Sequence, residues 1–277
     1  MERREEVRLE VQVAVYGPDG MKRYLASRHP QVEGVKWLVS WQQPDSSEPV
    51  PGELLQREDT EVIVFADRGV SRNRNHGLDH GGTSDYILIG DDDVDYSAES
   101  LVQIIRAFDE RPDIGILCLR YTCFGRYVKP YGEGEFDICD SPFGWYPTSF
   151  EMALRRSMLR EVRFNENLSI GSPKLICGEE DVLLHDLKRR KVKGRGLPIV
   201  VGEHNHETTS ERLAADPQYV FTHGAVTTLL CPWTWPLRML LHAYRSPMPY
   251  FRYIRHTLAG SLYAYRTRPF RPTYINK

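Results

Sequence analysis

Apolar and polar positions along residues 8–120 are spaced in a way that predicts strands separated by helices. Leu9, Val11, Val13 and Val15 fall at every second position, the alternation of a strand. Residues 35–41 form a mostly apolar run, and residues 62–65 and 86–89 are unbroken apolar runs. Unbroken runs predict strands buried on both faces. Beyond them Ser97 is a natural N-cap, and Leu101, Ile104, Ile105 and Phe108 recur at helical spacing until Pro112 closes the segment. Residues 114–117 read as the next strand. Strands joined by helices of this length predict an α/β protein with a mainly parallel, Rossmann-like sheet flanked by helices, and ligands are then expected beyond the carboxyl ends of the strands.

The second half is less regular. Pro130, Pro142 and Pro147, with several glycines between residues 125 and 147, predict a long loop. A helix is expected from Ser149 through Glu151, Met152, Ala153 and Leu154. Another is expected near Gly178, with Glu179, Glu180 and Asp181 in its first turn, where the helix dipole favours acids. Residues 199–201 read as the last core strand. Two more helices are expected at 236–245 and 248–266. In the second of these Phe251, Ile254, Leu258, Leu262 and Tyr265 form a stripe that would pack on the preceding domain. The expected division is a catalytic domain over residues 1–215 and a basic, aromatic-rich helical extension over 216–277, packed on it.

Composition narrows the choice of partner. A chain of 277 residues and 32.1 kDa, 41% hydrophobic and 27% charged, has ordinary globular proportions. Its net charge of -2 argues against nucleic acid. The first residues are acidic where a signal peptide needs a basic stub and an apolar run, and no window approaches the roughly eighteen apolar residues of a spanning helix. Five cysteines without a C-x-x-C pair fit reduced thiols, so the cytoplasm is the expected compartment. The charge is uneven, however: after Asp216 there is no acid, while eight basic residues follow among many aromatics. That pattern suits contact with the inner face of a membrane, and equally an amphipathic helix packed on its own domain.

Asp91, Asp92 and Asp93 follow directly on the apolar strand. Adjacent carboxylates repel one another, and at the end of a buried strand a divalent cation would neutralise them. In an extended segment Asp91 and Asp93 point to one side and Asp92 to the other. A solvated acidic turn capping the next helix is the competing account. Upstream, the strand ending near Asp67 leads to the segment Ser71-Arg72-Asn73-Arg74-Asn75. An arginine at a strand-to-helix turn is well placed to steady a phosphate. A metal-bridged diphosphate needs both kinds of group.

These segments, taken with Gly178-Glu179-Glu180-Asp181, resemble the order S-R-N, D-x-D, E-D of family 2 glycosyltransferases with the GT-A fold, over roughly residues 8 to 212. The resemblance implies that Asp91 and Asp93 hold Mn2+ or Mg2+ on the diphosphate of a nucleotide sugar, UDP- or GDP-linked. It further implies that Asp181 is the general base of an inverting transfer, although Glu180 could take that role with Asp181 as its partner. Tyr16 and Asp67 fall where the nucleotide is housed, and Arg72, Asn73 and Asp92 join the same set. A third metal ligand in this fold is often a histidine after the last core strand, which makes His204 and His206 candidates. Glu151 could face the acceptor, and Trp145 and Tyr146 could stack on a sugar.

The resulting expectation is a metal-dependent hexosyltransferase that moves a sugar to a hydroxyl of a saccharide or lipid-linked saccharide in surface polysaccharide or glycan synthesis. Two other classes compete. A sugar-1-phosphate nucleotidyltransferase should carry a basic Gly-rich loop after the first strand, and Tyr16-Gly17-Pro18-Asp19-Gly20 has no basic residue. A non-catalytic nucleotide-sugar-binding module would have no physical reason to keep repelling acids.

Overall fold

The computed structural model describes residues 7–142, 144–159, 162–204, 213–268 and 270. They form two compact units. The first takes Met1–Arg68, Arg72–Val162 and Leu187–His206, and the second Gly69–Ser71, Arg163–Asp186 and Glu207–Lys277. The C-terminal helices thus group with residues 163–186, along different lines from the expected division at residue 215.

In the first unit, nine described strands form one sheet. β1 (Leu9–Tyr16), β2 (Val35–Gln42), β3 (Thr60–Phe65) and β4 (Tyr86–Asp91) lie in the order β3-β2-β1-β4, all parallel. Beyond β4 the sheet is mixed. β8 (Met152–Arg155) runs antiparallel between β4 and β6 (Ile114–Thr122), and β9 (Lys193–His204) runs parallel to β6. β5 (Val94–Tyr96) and β7 (Phe136–Asp137) both pair antiparallel with β9. The helices of this part are α1 (Gly17–Ala26), α2 (Gly52–Leu55), α3 (Val70–His80), α4 (Ala98–Asp109) and α5 (Arg156–Leu159). The α/β expectation is met, with a sheet that is parallel on one side and mixed on the other.

Local detail departs from expectation at three places. Leu9, Val11, Val13 and Val15 are core residues, but Glu10 and Gln12 on the opposite face of β1 are buried too. The Gln12 amide donates to Glu10 at 2.6 Å and to the Gly77 carbonyl on α3 at 3.1 Å, while Arg156 donates to Glu10 at 2.9 Å. Alternation therefore marks a strand covered on both faces, one of them lined by satisfied polar groups. β3 reverses the case: its unbroken apolar run sits at the sheet edge, with Val64 exposed. The third departure is the helix expected from Ser149. Residues 149–151 make a single 3-10 turn, and Met152–Arg155 is the strand β8. Pairing with both β4 and β6 overrides the helical preference of Met, Ala and Leu.

In the second unit, α6 (Glu179–Arg189) begins after Gly178, whose φ is +85° and where an added Cβ would lie 2.9 Å from the Val226 side chain. α7 (Pro217–Leu230), α8 (Trp235–Arg245) and α9 (Tyr250–Thr267) follow. α9 packs on α7 through small residues. The expected packing stripe is not the one used: Thr257, Gly260, Ser261 and Ala264 are buried, Ile254 is half-buried, and Phe251, Leu258, Leu262 and Tyr265 are exposed. The reason is close approach. A Cβ on Gly260 would lie 1.9 Å from the Phe221 carbonyl oxygen, and Thr228 donates to the Ser261 hydroxyl across the contact at 2.8 Å. Helices this near each other exclude large side chains from the seam and turn them outward.

Candidate active site

The carboxyl ends of the parallel strands align because the register aligns them: Tyr16 pairs with Gln42, and Gln42 with Phe65. Side chains just past those ends form one cluster. Asp67 binds Arg72 at 2.6 Å, and Arg68 donates to the Tyr16 hydroxyl at 3.0 Å while pairing with Asp45. The Arg68 backbone N–H first and Arg72 second hold the Asp67 carboxyl below its usual range. Tyr16, Arg68, Asp67 and Arg72 all face solvent, so a ligand can reach them. Asn73 is different. It is buried and donates to the Val15 carbonyl at 3.1 Å, so it fastens α3 to the end of β1.

The acidic triplet spans the end of β4 and the turn into β5, and its three members have different partners. Asp91 accepts from Arg74 at 3.1 Å and from Ser149 at 3.2 Å. Asp92 turns away onto α1, where Arg23 grips both carboxylate oxygens at 3.1 and 2.9 Å. Burial pushes the Asp92 carboxyl up to about 7, against the pull of Arg23. It is mostly buried, so its observed partner is Arg23. Asp93 lies 3.3 Å from Nε2 of His204. Sheet register produces that contact: Val94 pairs with His204 in the antiparallel ladder of β5 on β9, which brings the residue before Val94 alongside. The imidazole stacks on Phe150, centroids 5.6 Å apart and planes 6° from parallel. His206 lies outside the described residues.

Among the described residues no group of three or more His, Cys, Asp or Glu side chains comes together as a metal site. Asp93 and His204 supply two donors, one oxygen and one nitrogen. Mg2+ and Mn2+ on nucleotides are commonly held by one or two protein groups, with phosphate oxygens and water completing the shell. The pair fits that mode and does not form a closed protein cage.

Glu180 and Asp181 occupy the first turn of α6 in the second unit. Glu151 does not face an acceptor. It is buried, bound by the Lys129 ammonium and the Tyr131 hydroxyl. Burial raises its carboxyl pKa, and Lys129 opposes the rise. Lys129 also donates to Thr148 at 2.6 Å and to the Tyr146 carbonyl at 2.9 Å, which ties down the loop before β8. Trp145 packs edge-on against Phe136 at 5.3 Å, and Tyr146 remains exposed. Sequence reasoning missed Arg68, and it named Arg74 only within the segment Ser71-Arg72-Asn73-Arg74-Asn75 without giving it a role of its own. Their neighbours in the chain contain the signal, since both belong to the basic stretch between Asp67 and Asn75.

Acids and arginines lie beyond the carboxyl ends of the parallel strands, where α/β sheets place their ligands, and comparison with known proteins shows what the chain resembles. Residues 44–169 match the model of Glycosyl transferase family 2, a stretch that includes Asp67, Arg72 and all three of Asp91, Asp92 and Asp93. Over residues 44–169 the chain is similar to the family 2 glycosyltransferases. The match ends before α6 and β9. No curated protein sequence matches the chain. Its fold is that of S. aureus TarS: the 1–349 structure aligns with a TM-score of 0.59 at 14% identity, covering 94% of this chain and 92% of that one. The same piece in complex with UDP gives 0.60 at 15%, and in complex with UDP-GlcNAc 0.59 at 14%, with the same coverage. The chain spans 43% of the longer TarS structure. At these identities the likeness carries the GT-A fold.

Proposed function

We propose that the protein transfers a sugar, with inversion, from a UDP- or GDP-sugar to a hydroxyl of a saccharide or lipid-linked saccharide, in surface polysaccharide or glycan synthesis. The observation that carries this reading is the pairing of Asp93 with His204, in a sheet that also presents exposed arginines past the carboxyl ends of its parallel strands. Structures of TarS with UDP and UDP-GlcNAc make a uridine donor the first to try. A cytoplasmic setting accords with the cysteines, all five of which are free thiols.

In this reading Tyr16 and Asp67 receive the nucleoside, and Arg68 and Arg72 meet the diphosphate with charge-assisted hydrogen bonds. Asp93 and His204 would hold Mn2+ or Mg2+, which when bound supplies positive charge beside the departing diphosphate. Asp91, the other carboxylate that the resemblance assigns to the metal, is fixed by Arg74 and Ser149, so that it would meet the cation without reorganising. Asp181 takes the proton from the acceptor hydroxyl as that oxygen attacks the anomeric carbon from the face opposite the leaving group, and Glu180 is the alternative base. Asn73, bonded to the Val15 carbonyl, and Asp92, gripped by Arg23, support the same nucleotide site.

Calorimetry tests the donor side. UDP or GDP should bind with Mn2+ present and weaken about tenfold or more in EDTA, since repelling acids and a diphosphate share the cation. Asp93→Ala should remove the metal dependence. Equal affinity in EDTA for whichever nucleotide binds would contradict the assignment of that pair.

A further inference from the structure

In α8 and α9 Met239 and Tyr253 are the large side chains among the buried positions, the others being Ala243, Thr257, Gly260, Ser261 and Ala264, and most of the other large apolar groups point outward. At about 100° per residue, Phe251, Leu258, Leu262 and Tyr265 fall within one arc of about 60° on α9, all exposed. Arg255 and Arg266 follow within about 40° of its edge. α8 repeats the arrangement: Leu237, Leu240, Leu241 and Tyr244 form an exposed arc, and Arg238 and Arg245 flank it on the corresponding side. Trp233, 93% exposed, stands just ahead of α8, while Phe251 is 83% and Tyr244 84% exposed. An apolar stripe with arginines along one flank is the pattern of a helix lying in a membrane interface. Among the described residues no helix is long and apolar enough to cross a membrane.

We propose that α8 and α9 are a docking surface for an anionic lipid bilayer, with Trp233, Leu237, Phe251 and Leu262 entering the headgroup–acyl boundary and the arginines on lipid phosphates. Two features select this occupant. A free polyanion would satisfy the arginines but leave the stripes in water. A second copy of the surface would bring two sets of like charges together, because no acid follows Asp216 while eight basic residues do.

The test is sedimentation of the full chain with vesicles of phosphatidylglycerol and phosphatidylcholine, and with pure phosphatidylcholine. Binding is expected to the first, reversed in large part by high salt, and not to the second. The triple variant Leu237→Ser, Phe251→Ser, Leu262→Ser should lose about a hundredfold or more in vesicle affinity, because three apolar anchors are removed. Its melting temperature should match the parent, since all three positions are exposed. Should the triple variant melt early, Arg255→Ser with Arg266→Ser serves instead, and each lost charge should weaken binding about fivefold. The proposal fails if the parent stays in the supernatant at low salt, if neither variant weakens binding, or if light scattering shows a lipid-free dimer that the triple variant dissolves.

Discussion

Asp181→Asn is expected to leave nucleotide-sugar binding intact and to lower transfer by about a hundredfold or more, the usual consequence of losing a general base. An acceptor hydroxyl is a poor nucleophile until its proton has somewhere to go, and Asn offers a dipole of similar size with no basic oxygen. Gly178, at a φ of +85°, precedes α6, and Glu179, Glu180 and Asp181 all lie in the first turn of that helix. Single-turnover rates with and without the substitution, with donor affinity measured separately, decide the point. If Glu180→Gln is the damaging change instead, the two acids exchange roles. If neither slows transfer, the proposed proton path is wrong.

The largest expected loss of stability comes from Lys129→Met, which should cost about 3–5 kcal/mol by leaving the Glu151 carboxylate buried without its cation. Both side chains of the pair are almost wholly buried, at 1% and 2% exposure. The deficit should depend on pH with a definite sign. Burial raises the Glu151 pKa, and without Lys129 nothing cationic opposes it. The folded variant therefore holds a proton that the unfolded chain releases, and its stability declines as pH rises above the ordinary carboxylate range. Urea melts at acid and neutral pH read this directly. Adding Glu151→Leu should restore much of the loss, since an apolar pair can replace a buried ion pair. A single variant as stable as the parent at neutral pH would contradict the account of this pair.

What could be read from sequence, and what could not, follows from how local each determinant is. The apolar runs of β1, β2 and β4 and the spacing of Leu101, Ile104 and Phe108 are local, and they gave the frame. The acids of the triplet were visible as a group, but their separate partners were not. Arg74 lies seventeen residues from Asp91 and Arg23 sixty-nine from Asp92, and only the folded sheet brings them together. β8 was hidden for the same reason, because four residues of helical preference become a strand when two other strands flank them. The outer stripe of α9 was legible, yet its direction was misread. Hydrophobic periodicity assumes that large apolar groups pack inward, whereas Gly224, Gly260 and Ser261 let backbones meet and reverse the rule.

Movement of sugar from a nucleotide donor by this chain is measured most directly by release of nucleoside diphosphate. A panel of UDP- and GDP-sugars should contain one that yields nucleoside diphosphate in Mn2+ or Mg2+, fast with a saccharide acceptor and slowly with water, with release lost in EDTA and in Asp93→Ala. No release from any nucleotide sugar with metal and acceptor present, or release undiminished by EDTA and by Asp93→Ala, would contradict the account.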